Sequence, residues 1–319
     1  MTTIKKRFIL LIVAVILLIL YIPFKKYIKI DIELIFNQIN KQCLIRTTKF
    51  LNALNKQKLG IVMIRNNKTN ITDYDATIKN MPVHFNNIWG EHYNDLKPVG
   101  LQADSAEKKY FLKFRNSTSN TECNVVTLGV GQTVEAELEL KQIYPQCKFL
   151  ALDPVSEVNE DLVESKLNGT FVKKVITAED SYTAYAGPVS IWNSEGKSEF
   201  NQSFSELSIG FFDFFLYYNA ESVIDLLTID VEGSEFPIFQ LLAEQYDQLP
   251  VIICQINIEF HHVHYNANSF LRNRFFRNFN SFIRNDRFVV MKSDVHDVNY
   301  YPVFFVNYAD KVCIEKFLC

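Results

Sequence analysis

The segment Asp230-Val231-Glu232-Gly233-Ser234-Glu235 sets carboxylates around one glycine, directly after the apolar run Leu226-Leu227-Thr228-Ile229. Further on, Ile258-Glu259-Phe260-His261 ends another apolar run in an acid and an imidazole. Side chains of this kind at strand ends can hydrogen-bond a hydroxylated molecule and take a proton from it. His261 is the preferred general base, because an unperturbed imidazole titrates near working pH, and Glu259 is the next candidate. Asp230 and Glu232 suit hydrogen bonding to a cosubstrate or an acceptor. Upstream, Asn124-Val125-Val126-Thr127-Leu128 runs into Gly129-Val130-Gly131, and Leu150-Ala151-Leu152 ends at Asp153. Between Gly131 and Asp153 there is room for one loop, one helix and one strand. Glycines there let backbone N–H groups approach a nucleotide-type ligand, and the acid accepts from ribose hydroxyls. A structural strand–helix–strand turn with a surface Asp153 is the alternative.

These groups need a scaffold that collects strand ends at one edge. From residue 123 onward the chain alternates between apolar β-branched runs and helical periodicity. Strands are expected at 123–128, 148–152, 171–176, 225–230, 251–258, 287–292 and 302–307, and helices at 133–143, 156–167, 235–246 and 268–284. That alternation is the pattern of a doubly wound α/β sheet, in which right-handed crossovers bring the ligand-facing loops to the carboxyl edge. Glu135 and Glu137 near one helix start, and Glu235 opening another, suit the helix dipole. The stretch 180–222, with Tyr182, Tyr185, Trp192 and the run Phe211–Tyr218, is longer than a crossover requires; insertions at that edge commonly shape an acceptor pocket, and the aromatic run reads either as core or as the lining of a pocket or groove.

The Asp230–Glu235 segment resembles the strand-four signature of the FkbM-type methyltransferase domain, hydrophobic-Asp-hydrophobic-Glu-Gly-x-Glu. Asp230, Glu232, Gly233 and Glu235 match it, and Thr127-Leu128-Gly129-x-Gly131, Ala151-Leu152-Asp153-Pro154 and Ile258-Glu259-Phe260-His261 look like further motifs of that family. The resemblance covers about residues 120–310. It implies a Rossmann-like methyltransferase sheet of seven strands, mostly parallel with the last antiparallel. It also implies S-adenosylmethionine as cosubstrate at Gly129, Gly131 and Asp153, and an oxygen of a sugar or small hydroxylated molecule as acceptor. The commonest methyltransferase pattern has a third glycine where this chain has Gln132-Thr133. A lumenal glycosyltransferase and a non-catalytic binding or scaffold protein are the alternative functions.

The N-terminal part reads differently. Phe8–Phe24 is an uncharged apolar run after Lys5-Lys6-Arg7, with no small-residue cleavage site behind it. Its length is near the lower limit for a bilayer-spanning helix, so residues 1–26 read as an uncleaved signal anchor. Residues 27–122 read as helical stem and cap, with Pro82 and Pro98 breaking any long element, and 123–319 as the methyltransferase-like domain. A single-pass type II protein of the endoplasmic reticulum or Golgi, with the domain in the lumen, is the expected topology. The sequons at Asn67, Asn70, Asn116, Asn168 and Asn201 agree with it. At 48% hydrophobic, 319 residues can bury one large core, and a net charge of −3 argues against a nucleic-acid partner. No metal is assigned: His262-x-His264 and Asp294, His296 and Asp297 match no specific template. If Gly129 and Asp153 mark equivalent ends of neighbouring parallel strands, Cys123 and Cys147 lie opposite each other, close enough for a disulfide. Cys254, inside a strand, reads as a buried hydrophobe.

Overall fold

The structure, a computed structural model, describes residues 41, 43–58, 71–89, 96–103, 107–116, 118, 121–178, 190–192, 198–200, 208–261, 269–294 and 300–319. The apolar run Phe8–Phe24, the sequons at Asn67, Asn70 and Asn201, residues Tyr182 and Tyr185, and His262, His264, His296 and Asp297 lie outside these residues. Among the described residues no helix is long and apolar enough to cross a membrane. By its internal contacts the chain divides into Met1–Arg46 with Cys319, and Thr47–Leu318. In the first unit Cys43 and Cys319 form a disulfide.

The second unit is built on a seven-stranded sheet. Its strands are β1 (Asn124–Leu128), β2 (Lys148–Asp153), β3 (Thr170–Lys173), β4 (Leu226–Ile229), β5 (Gln255–His261), β6 (Phe288–Ser293) and β7 (Tyr300–Asn307), in the spatial order β6-β7-β5-β4-β1-β2-β3. β7 runs antiparallel to both its neighbours and the other pairings are parallel, as the sequence leads one to expect. Every residue of β1 and β4 is buried, which explains their unbroken apolar runs: a central parallel strand is covered on both faces. The chain leaves β1 towards β2 and β3 on one side and later builds β4 and β5 on the other. The switch point between β1 and β4, where doubly wound sheets bind ligands, therefore has Gly129 and Asp230 at its mouth.

Helices that bear on the site or its supports are α1 (Ile71–Trp89), α2 (Glu135–Ile143), α3 (Ser156–Asp161), α4 (Phe211–Tyr218), α5 (Glu235–Glu244), α6 (Ser269–Arg284) and α7 (Lys311–Cys313), and residues 43–58 are helical as well. Alternation along β5 sends Ile256, Ile258 and Phe260 to the face covered by α5 and α6, where Phe260 meets Phe239 and Phe275, each at 5.0 Å. Gln255, Asn257, Glu259 and His261 take the other face. There an antiparallel hairpin, Val99–Gln102 with Lys108–Phe111, is attached by side-chain amides. Asn257 Oδ1 accepts from Tyr110 N at 2.9 Å and its Nδ2 donates to Tyr110 O at 2.8 Å; Gln255 makes the same pair with Leu112 at 2.6 and 3.3 Å. Each carboxamide imitates a neighbouring peptide group. The edge strand β6 is closed likewise, by Gln57 against Val290 at 2.7 and 3.1 Å and Asn86 against Ser293 at 2.8 and 3.2 Å. An edge satisfied in this way offers less of a template for pairing with another chain.

Several expectations need correction. Pro82 does not break an element: it lies inside the 19-residue α1. An interior proline costs about 3 kcal/mol. Here Ile78, Met81, Phe85 and Trp89 are buried and Asn86 is bonded to β6, so tertiary anchoring outweighs the lost hydrogen bond. Cys254 is not a free buried thiol. The chain returns along β7, with Asn307 N donating to Cys254 O at 2.8 Å, and α7 then brings Cys313 into a disulfide with it. The Cys123–Cys147 disulfide forms as expected, because the register Asn124↔Lys148 sets the two cysteines opposite each other with Cα atoms 4.4 Å apart. All six cysteines are thus paired. The aromatic run Phe211–Tyr218 forms α4, which buries Phe211, Phe214 and Phe215 and exposes Leu216, Tyr217 and Tyr218.

Candidate functional site

Two loops meet at the switch point. Gly129 follows β1 with φ of 85°, and a Cβ built on it would stand 1.8 Å from the carbonyl oxygen of Asp230, which follows β4. No side chain fits there, so this glycine lets the two loops touch. Gly131, at φ 63°, is different: a Cβ on it would meet nothing within 4 Å. The space above it is open for a ligand to approach the backbone. Gln132 also takes a left-handed φ, 65°, and its N–H donates to Asn159 Oδ1 at 3.0 Å, so the loop turns without the third glycine.

Asp153, at the end of β2, is 7% exposed. Its Oδ2 accepts from Val130 N at 2.9 Å and its Oδ1 from Val155 N at 2.8 Å. The carboxylate therefore shapes the glycine loop as well as facing it. Burial raises its pKa, opposed by hydrogen bonds from Val155, Val130, Asn159 and Gly131. These residues fit an adenosyl cosubstrate: open space over a left-handed glycine, and an acid ordered beside it.

The second loop is held by Glu235, the first residue of α5, whose side chain is fully buried. Its Oε1 accepts from Val231 N at 2.9 Å, and its Oε2 from Gly233 N at 2.7 Å. Its Oε1 also lies 2.7 Å from His261 Nδ1. A carboxylate only accepts, so His261 donates there and turns Nε2 towards Asp230 Oδ1 at 3.5 Å and Glu232 Oε1 at 3.6 Å. Glu232 holds a strained φ of 54°, a kind of outlier that clusters at functional sites. From sequence, Glu235 reads as a helix-dipole residue; in place it is the hub of the site. The Glu-Gly-x-Glu spacing was the available signal.

His261 stands among carboxylates. Burial by itself lowers an imidazole's pKa, but Glu235 at hydrogen-bond distance, and Asp230 and Glu232 beyond it, raise it to about 10. A charged ring has no lone pair to accept with, so this upward shift works against a general-base role. The expectation of a base rests on the unperturbed value, which this surrounding of carboxylates shifts upward. Glu259 moves upward too: burial, with Asp230 and Glu107, raises it to about 9 against His261 and Lys109, which favours its protonated form. Asp230, Glu259 and His261 offer ligand atoms within 4.8 Å of one another.

Lys109, from the hairpin, was not legible as a site residue. Its Nζ lies 3.4 Å from Asp230 Oδ2. Burial works against its charge, but Asp230, Glu107, Glu137 and Glu259 hold its pKa above the ordinary lysine value. A cleft between hairpin and sheet is lined by Glu107, Lys109, Tyr110, Asp230, Asn257 and Glu259, among others. Glu137, expected to serve the helix dipole, is buried and accepts from Thr127 Oγ1 at 2.8 Å. Of the residues weighed as metal ligands, Asp294 is described: it accepts from Tyr110 OH at 3.5 Å and lies 4.0 Å from Lys292.

No curated protein matches the chain in sequence. Among solved structures it is similar to fibrillarin in a complex with Nop5p, at 10% identity and TM-score 0.34 over 58% of this chain and 72% of that one. It is similar to Aeropyrum pernix fibrillarin with natively bound S-adenosyl-L-methionine, at 10% identity and TM-score 0.33 over 58% and 66%. It is also similar to the Methanococcus jannaschii fibrillarin pre-rRNA processing protein, at 8% identity and TM-score 0.35 over 69% and 86%. The sequence profile of the FkbM methyltransferase domain matches residues 90–290, starting earlier than the motifs alone indicate and so including the hairpin that carries Lys109. With well over half of its length matched, and with the matching motifs gathered at one sheet edge, the chain belongs to the FkbM methyltransferase family.

Proposed function

We propose that this chain transfers a methyl group from S-adenosylmethionine to an oxygen of a small hydroxylated acceptor, a sugar or a similar molecule. The observation that carries the reading is the open, left-handed Gly131 beside an Asp153 that orders the same loop. Gly129, Gly131 and Asp153 would hold the cosubstrate, which supplies a sulfonium methyl group for in-line displacement when bound. The chain's own part is to position the acceptor and receive its proton. Asp230 and Glu232 serve as the acceptor-side carboxylates. His261, charged and oriented by Glu235, holds them in place and balances their charge, and protonated Glu259 donates a hydrogen bond.

The test is calorimetry of the purified full chain with S-adenosylmethionine and S-adenosylhomocysteine. Wild type should bind both. Asp153→Ala should lose roughly 1.5–3 kcal/mol of that affinity, the worth of hydrogen bonds to a charged group, while melting as a folded protein. Wild type without affinity for either compound would sink the enzyme reading and favour a scaffold role; affinity for a nucleotide sugar instead would favour the glycosyltransferase.

We also propose that the domain faces the lumen of the endoplasmic reticulum or Golgi, anchored through residues 8–24 as a single-pass type II protein. Three disulfides using every cysteine support this, since such bonds persist in oxidising compartments. So do Asn116 and Asn168, sequon residues that are exposed in the fold. Intact microsomes should protect the domain from protease, and deglycosylation should shift its size. Digestion in sealed vesicles would refute the topology.

A further inference from the structure

Asp230, Glu259 and His261 gather two carboxyl groups and an imidazole ring with their ligand atoms within 4.8 Å of one another, a set of donor types that holds a divalent cation once deprotonated. Lys109 already occupies that neighbourhood. Its Nζ lies 3.4 Å from Asp230 Oδ2, and its side chain is 11% exposed. Asp230 Oδ1 faces His261 Nε2 at 3.5 Å, so each oxygen of this carboxylate has its own cationic neighbour.

The placement of the ammonium is built into the fold. Asn257 grips both backbone groups of Tyr110, the residue after Lys109, and Gln255 grips both of Leu112. Asn257 stands two positions before Glu259 on the same strand and face. The strand that bears Glu259 and His261 thus holds, by its own side chains, the hairpin that bears the cation. A lysine displayed on a stitched backbone is held near Asp230 before any substrate arrives, which a mobile surface lysine would not be.

We propose that Lys109 is the resident cation of this cluster, taking the place a divalent metal would otherwise fill, and that it positions Asp230 for the acceptor side of the site. The positioning role rests on reading this edge as the acceptor side, whereas the occupancy of the cation place does not. A divalent ion entering the cluster would meet the ammonium and be repelled. Removing the ammonium takes away one of the two positive charges beside Asp230, and a metal can then bind by displacing the protons held by His261 and Glu259.

Titration of the purified full chain with Mn²⁺, following the free ion by electron paramagnetic resonance, separates the outcomes. Wild type should show no site that depends on Asp230. Lys109→Met should gain one, with affinity at least about tenfold above wild type, because a unit positive charge beside the ion has gone. Lys109→Arg keeps the charge and should resist the metal as wild type does. Adding Asp230→Asn to Lys109→Met should abolish the gained site. Lys109→Gln, which can still donate to Asp230, replaces the methionine variant if that one melts early. Mn²⁺ binding by wild type that Asp230→Asn removes would overturn the proposal, as would a folded Lys109→Met or Lys109→Gln protein that gains no site. None of these results depends on which cosubstrate the glycine loop takes.

Discussion

Gly129→Ala should unfold the switch point, whereas Gly131→Ala should leave the fold standing and remove cosubstrate binding. The two glycines share a left-handed backbone, which costs a non-glycine residue roughly 1–2 kcal/mol. Their surroundings differ. An alanine methyl at 129 would lie 1.8 Å from the Asp230 carbonyl oxygen, a distance no adjustment of a side chain can relieve because the obstacle is backbone. The β1 and β4 loops must separate, breaking the ladder that continues past the strand ends through Gly129 N to Leu152 O at 2.8 Å and Asp230 N to Leu128 O at 2.9 Å. A loss of roughly 3–5 kcal/mol is expected, the range reached by strained or overpacked positions. A methyl at 131 meets nothing, so stability falls by the backbone term alone while the space for a ligand shrinks. Thermal melts paired with S-adenosylmethionine calorimetry on both variants decide the matter. Equal melting losses would contradict the division, as would a Gly131→Ala protein that binds like wild type.

Glu235→Gln should cost roughly 3–5 kcal/mol, the usual penalty for breaking one side of a buried ion pair. The glutamate receives Val231 N, Gly233 N and His261 Nδ1, all donors, and a glutamine must turn its own NH₂ towards one of them. That corresponds to a fall in melting temperature of roughly 6–20 °C, at 2–4 °C per kcal/mol for a large domain. The same variant alters the pH dependence. In wild type the folded pKa of His261 stands near 10 against an ordinary 6.5, so its stabilising contribution is complete below pH 6.5 and fades as pH rises through 10. Glu259, raised from 4.5 to about 9, pulls in the same direction, because the fold prefers its neutral form and loses stability as pH climbs through that interval. Wild-type melting temperature should therefore decline between about pH 6.5 and 10. Glu235→Gln removes the foremost group that raises His261 and should show a shallower decline. A wild-type profile that is flat or rising across this window would refute the charge state given to His261, and with it the reassignment of proton acceptance to Asp230 and Glu232.

The amino-acid sequence alone determined a large part of this protein. The β-branched runs around Val125–Leu128 and Leu226–Ile229 are buried on both faces, so their composition announced central strands, and Gly129, Asp153, Asp230 and Glu259 lie at strand ends because those runs end there. The Cys123–Cys147 bond followed from strand spacing, a local regularity of sheets. What only the tertiary structure decided is which groups stand across from one another, and hence their charge. Lys109 is 121 residues from Asp230 in sequence, and nothing local announces their 3.4 Å separation. The helix through Pro82 survives because distant β6 anchors it, and Cys254 is oxidised because α7 returns to β5. His261 carries the same lesson for chemistry. An imidazole's identity sets a pKa near neutrality, but three carboxylates brought in by one loop and a helix start bear on whether it accepts a proton or keeps one, and electrostatic energy depends on distance in space rather than along the chain.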